Sequence, residues 1–165
     1  MAHPDGVDRI TAQWHGERPD LDTTAMSVFG RIFRLARIAG EEMERAYAAY
    51  GIGRPEFDVL ATLRRAGDPY RLSPGALAAS MMLSTGGTTA RLDRLEKTGL
   101  AVRYPSPTDR RGIVVELTTK GRETVDQALG AGLAQQQRLL SHMRPDDRRQ
   151  LASLLREVLS PLELD

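Results

Sequence analysis

The chain has 165 residues, of which 41% are hydrophobic and 5% aromatic, and a formal net charge of +1, enough for one domain with a buried core. The lack of cysteine excludes disulfide frameworks, cysteine-ligated zinc and thiol redox chemistry, and His3, His15 and His142 are too scattered for a metal-ligand spacing. The polar start (Asp5, Asp8, Arg9) has no signal-like apolar core and no run of about 18 apolar residues occurs after it, so a soluble cytoplasmic protein with no membrane partner is expected.

Residues 1–20 are weakly patterned, with Val7, Ile10 and Trp14 marking one face of a short helix. Pro19 punctuates the chain, and Asp22, Thr23 and Thr24 are candidate caps for a second helix. From Ala25 to Tyr50, Met26, Phe29, Phe33, Ala36, Met43, Ala46, Tyr47 and Tyr50 recur at helical spacing, and Val28, Ile32, Leu35, Ile38 and Ala39 broaden the stripe. A face that wide asks for more than one partner surface, the domain's own core and a second subunit. Gly51 and Gly53 are expected to end this helix in the left-handed conformation.

Pro55 opens the next helix, faced by Phe57, Leu60, Ala61 and Leu63 and stopped by Gly67-Asp68-Pro69. Ser73-Pro74 starts a short helix through about Ser80, and after a turn at 81–83 Ser84 is the expected cap of a helix to Thr98. Leu92 and Leu95 face inward and Gly99 closes it. Two short helices joined by so few residues are a helix-turn-helix pattern. Leu100–Tyr104 and Ile113–Leu117 read as strands, and the eight residues between them form a protruding wing. Thr118 or Thr119 caps a long helix from about Lys120 to His142, and Pro145 opens the last, with Leu151, Leu154, Leu155, Val158 and Leu159 as its apolar positions.

Charge is concentrated in the helix-turn-helix and wing. Between Ser84 and Val115, Arg91, Arg94, Lys97, Arg103, Arg110 and Arg111 oppose Asp93, Glu96 and Asp109, a local excess of +3 that leaves −2 for the rest of the chain. Such a distribution fits a protein that meets phosphate on one face. The small polar start of the second helix, Ser84-Thr85-Gly86-Gly87-Thr88-Thr89, fits close approach to a DNA groove. Glycine inside a helix costs about 1 kcal/mol relative to alanine, so Gly86 and Gly87 need a compensating gain there. The competing account is a solvated helix start. Arg94 reads either as a DNA contact or as a surface arginine paired to Glu96 or Asp93. Arg110 and Arg111 at a loop tip suit a narrow minor groove, with Asp109 bracing one of them; a charged, solvated hairpin tip is the alternative.

These residues carry a resemblance. Asp93-Arg94-Leu95-Glu96, Gly99-Leu100, Asp109-Arg110-Arg111 and Leu117-Thr118-Thr119, in helices of this order and length, resemble the MarR family of winged-helix transcriptional regulators. The resemblance implies a mainly α fold with a small β wing. A winged helix-turn-helix lobe (54–118) would join a helical dimerisation region (1–50 and 119–165) within one domain. It also implies a homodimer on a palindromic double-stranded operator, most simply a repressor, with Ser84, Thr85, Gly86, Thr88, Thr89 and Arg94 facing DNA, Arg111 at the wing tip beside Arg110, and Asp109 bracing it. Trp14, Glu17-Arg18-Pro19-Asp20-Leu21-Asp22, Asp58 in Phe57-Asp58-Val59-Leu60, Arg91 and Arg103 resemble the urate-responsive branch of that family. That branch implies an anion site of Trp14, Asp58, Arg91 and Arg103, with a small anionic ligand such as urate as effector and no other cofactor.

From spacing alone, a fixed ion pair between Asp58 and Arg91 or Arg103 is the competing account of those residues. Two other functions compete with the whole reading: a regulator with no ligand, and a winged-helix module that binds protein only. No phosphate loop, metal cluster or nucleophile–base arrangement suggests an enzyme.

Overall fold

Asp5 sets the first helix, α1 (Gly6–Glu17). Its carboxylate accepts the N–H groups of Val7 and Asp8 at 2.7 and 3.0 Å, and Asp8 accepts the Asp5 N–H in return at 2.8 Å, a complete capping box. The computed structural model describes residues 3–81, 87–106 and 112–163. They fall in two compact units, 1–42 and 43–165. In the first unit α1 meets the start of α2 (Thr24–Ala48), where Val7 is buried against Gly30, and Arg31 binds Asp5 and Asp8 at 3.0 and 2.6 Å. The apolar stripe of α2 is exposed in this part of the chain: Phe33 retains 67% of its surface and Phe29 46%.

The second unit holds the core. Met43 and Tyr47, on the last turns of α2, pack with α3 (Arg54–Arg65), whose Val59, Leu60 and Leu63 are fully buried, and the Tyr47 and Phe57 rings stack at 4.1 Å. Gly51 takes the expected left-handed conformation (φ 71°), but Gly53 does not. It is the extended N-cap of α3, at φ −96°, and its N–H goes to Glu56.

After α3 the chain forms β1 (Arg71–Leu72), then α4 (Pro74–Ser80), capped by the Ser73 hydroxyl. The helix α5 spans Thr88–Lys97, and β2 (Ala101–Pro105) and β3 (Ile113–Leu117) make an antiparallel hairpin. The sheet order is β1-β3-β2, with Arg71 opposite Glu116 and Arg103 opposite Val115. A two-residue strand has no periodicity to read, so β1 was not legible in the sequence. Leu77, Leu92, Leu95, Leu100 and Val115 complete the core around α3. Thr118 caps α6 (Thr119–Leu139), and α7 (Pro145–Leu159) comes next with no buried residue. The helix α6 ends three residues before the expected His142, at Leu139. Among the described residues no helix is long and apolar enough to cross a membrane.

Candidate nucleic-acid interface

Leu92 and Leu95 anchor α5, leaving Thr89, Ala90, Asp93, Arg94 and Lys97 exposed and Thr88 and Arg91 half-buried. This is the face that the sequence pattern turns toward DNA. Gly87 is not inside the helix, contrary to that pattern. It is the N-cap with φ 71°, a left-handed position where glycine carries little penalty. The helix-propensity cost assigned to Gly87 therefore disappears, and with it that part of the case for a groove contact. Ser84, Thr85 and Gly86 lie outside the described residues, as do Asp109, Arg110 and Arg111, the residues expected at the wing tip. The wing's base is described: Pro105 pairs with Ile113, and the Ser106 N–H reaches the Gly112 carbonyl at 2.8 Å.

Arg103, on β2, is held by α5. Its Nε donates to Glu96 at 2.7 Å, its backbone N–H to the other Glu96 oxygen at 3.0 Å, and a terminal nitrogen pairs with Asp93. Hydrogen bonding to Arg103 draws the Glu96 carboxyl below the usual range, and the same contacts, Glu96 first and Asp93 second, raise the Arg103 guanidinium. The strand β2 thus sets Arg103 against the two acids that the Asp93-Arg94-Leu95-Glu96 run presents one turn apart. Across the sheet, the Tyr104 hydroxyl donates to Glu116 and Arg71 donates to the Tyr104 oxygen at 3.3 Å, tying β1 to the hairpin.

Arg94 pairs with neither Glu96 nor Asp93. Its guanidinium donates at 2.7 Å to Glu56, a buried acid on the first turn of α3. Sequence reasoning missed Glu56; the available signal was its place three residues after Gly53, the capping-box spacing. Asp58 is buried, 6% exposed, as its apolar neighbours suggested. It lines a cavity of about 240 Å³ with Tyr47, Phe57, Leu129, Leu133 and Gln136, where Arg64 and Arg65 add charge. Arg91 lies on α5 and Trp14 on α1 of the first unit, 44% exposed. No cluster of three or more metal-binding side chains occurs among the described residues.

Comparison with known proteins gives this geometry a family. A MarR family model matches residues 50–112, which include α3, α5 and the base of the wing. The HTH-type transcriptional regulator PecS of Dickeya dadantii is 34% identical over 152 residues, 92% of each chain. The multiple antibiotic resistance protein MarR of Escherichia coli is 32% identical over 133 residues, 76% of this chain and 89% of that one. The crystal structure of a mutant E. coli MarR complexed with operator DNA superposes with a TM-score of 0.70 at 27% identity, covering 83% of this chain and 97% of that one. AbsC of Streptomyces coelicolor, at 22% identity over 88% of this chain and 98% of its own, shares the fold with a TM-score of 0.76. These relatives are regulators rather than enzymes, and the chain belongs to the MarR family of winged-helix transcriptional regulators.

Proposed function

We propose that this regulator binds double-stranded DNA as a homodimer at a palindromic operator, acting as a repressor that a small anion releases. The observation that carries the DNA reading is the exposed face of α5 beside the β2–β3 hairpin. A helix of that kind fits a major groove while the wing reaches the adjacent minor groove. The operator complex of the E. coli relative supports it. Binding of a fluorescent duplex from the DNA beside its own gene, measured by anisotropy across a salt series, tests the reading. Arg111→Ala is expected to weaken binding to all sequences and lower the log–log salt slope by about 0.9, the value for one phosphate contact. An unchanged affinity would remove the wing from the interface.

The exposed apolar positions of α2 and α7, Phe33 at 67% and Leu154 and Leu159 at 52% each, support the homodimer. Light scattering on the purified chain tests it. For the effector, the cavity beside Asp58 supports a small, partly apolar anion such as urate. Arg91 and Arg103 would then be its cationic partners and Trp14 a further contributor. Because Arg103 is already held by Asp93 and Glu96, a second reading is favoured by a specific contact: a fixed brace, in a regulator with no ligand. Thermal shift with a panel of planar and carboxylate anions separates the two, since a ligand raises Tm by mass action. If an anion acts through these residues, Arg91→Ala, Arg103→Ala and Trp14→Phe each reduce the shift.

A further inference from the structure

The start of α3 is where helices of this kind most readily take an anion, because its free N–H groups and dipole favour negative charge. Here the chain fills that place itself. Glu44 accepts the Arg54 N–H at 3.1 Å, and Glu56 accepts the Gly53 N–H at 3.1 Å. The second oxygen of Glu56 accepts from Arg94 on α5 at 2.7 Å. Both oxygens of Glu56 are thus engaged, and the residue is 4% exposed. Arg94 differs: its side chain is 67% exposed, so solvent and any ligand of α5 have access to it.

We infer that Glu56 is a specificity-determining positioning residue, which acts by holding the Arg94 guanidinium and withholding its charge from non-specific phosphate. The inference rests on the proposed DNA-binding function. A phosphate that approaches Arg94 must compete with a buried carboxylate at charge-assisted distance, and taking the cation away would leave that carboxylate uncompensated. Arg94 and Glu56 together are neutral, so the pair adds no net positive charge with which to displace counterions from DNA. Arg94 remains able to use its other donors on a correctly placed acceptor, because Glu56 fixes its direction without covering it. Random DNA, which offers charge without register, gains little from such an arginine. The pairing therefore lowers background binding more than it lowers operator binding, and revises the simple reading of Arg94 as a DNA contact.

The test is a salt series on operator and random duplexes with wild type, Glu56→Gln, Arg94→Gln and the double variant, each checked for folding by circular dichroism. Glutamine keeps an oxygen for the Gly53 N–H but removes the charge that holds Arg94. Glu56→Gln is expected to tighten binding to random duplex several-fold at low salt and to steepen its log–log slope by about 0.9, one added phosphate contact. Arg94→Gln alone is expected to leave the random-duplex slope at the wild-type value, and the double variant to cancel the gain. A Glu56 with only a structural role would change melting temperature without moving the slope. An unchanged slope in Glu56→Gln, or a slope lowered by Arg94→Gln, overturns the inference while leaving the DNA reading intact. A wild type that binds no duplex overturns both. Should Glu56→Gln fail to fold, Arg94→Gln decides alone, an unchanged slope supporting the inference and a lowered one overturning it.

Discussion

Replacing Arg103 with glutamine removes the side-chain ties between the wing strand and α5 without touching the core. The substitution removes the bonds from Nε to Glu96, at 2.7 Å, and from the terminal nitrogen to Asp93, but keeps the backbone N–H bond to Glu96 at 3.0 Å. Charge-assisted bonds contribute about 1.5–3 kcal/mol each when well shielded, and exposed pairs about 0–1 kcal/mol. Arg103 retains 26% of its side-chain surface, Glu96 34% and Asp93 58%, so the cluster lies between those limits, nearer the exposed one. We expect a coupling of about 1 kcal/mol between Arg103→Gln and Glu96→Gln in a double-mutant cycle by urea denaturation at pH 7. For a chain of this size, 1 kcal/mol corresponds to about 2–4 °C in Tm.

The coupling also has a pH signature. Arg103 draws the folded-state pKa of Glu96 below its ordinary 4.5, so this contribution is fully present above that value. It is lost as acid takes the pH through the lowered folded pKa. Arg103, whose pKa the same contacts raise further, stays charged throughout and does not contribute to the transition. A cycle repeated near pH 3 is therefore expected to give a smaller coupling than at pH 7. A coupling below about 0.3 kcal/mol at pH 7, within the additivity error for independent sites, would refute the assignment of this cluster as the link between α5 and the wing strand.

Two further perturbations test the packing that positions the interface. Gly121→Ala would put a Cβ 1.9 Å from the Leu100 carbonyl oxygen, where α6 crosses the start of β2. Relief requires α6 to move off Leu100, and the Thr118 bonds to that carbonyl at 3.2 Å would weaken. Overpacking costs about 1–3 kcal/mol, and a clash with backbone lies at the upper end of that range, above the roughly 1 kcal/mol gained from helix propensity at that position, so the melt should move down. An unchanged or higher Tm would contradict this close approach. Leu95→Ala, at a fully buried position of α5, is expected to cost about 2–5 kcal/mol. It should reduce operator binding at temperatures where the wild type is fully folded; a loss under about 1 kcal/mol in denaturant, well below that range, would show that α5 is not anchored there.

Much of the fold is legible from local chemistry. Pro55, Ser73-Pro74, Thr118 and Pro145 announce the starts of α3, α4, α6 and α7, because caps and first-turn prolines act through bonds made within a few residues. Ile113–Leu117 reads as a strand from its own composition, and β3 has those bounds. Gly53 and Gly87 were misread for one reason: glycine marks a break in a pattern, but its φ depends on the chain at either side.

The sequence alone determined the order of the helices and of the β2–β3 hairpin, the inward leucines of α5 and the basic bias of the segment around it. It could not determine which charges meet. Arg94 has Asp93 and Glu96 as near neighbours in sequence, yet it binds Glu56, 38 residues away, because α3 and α5 cross there and bury an acid that needs a cation. Arg103 takes both of the nearer acids once the register of β2 sets it beside α5. Ion-pair partners depend on where packed elements cross, so only the tertiary structure could assign them.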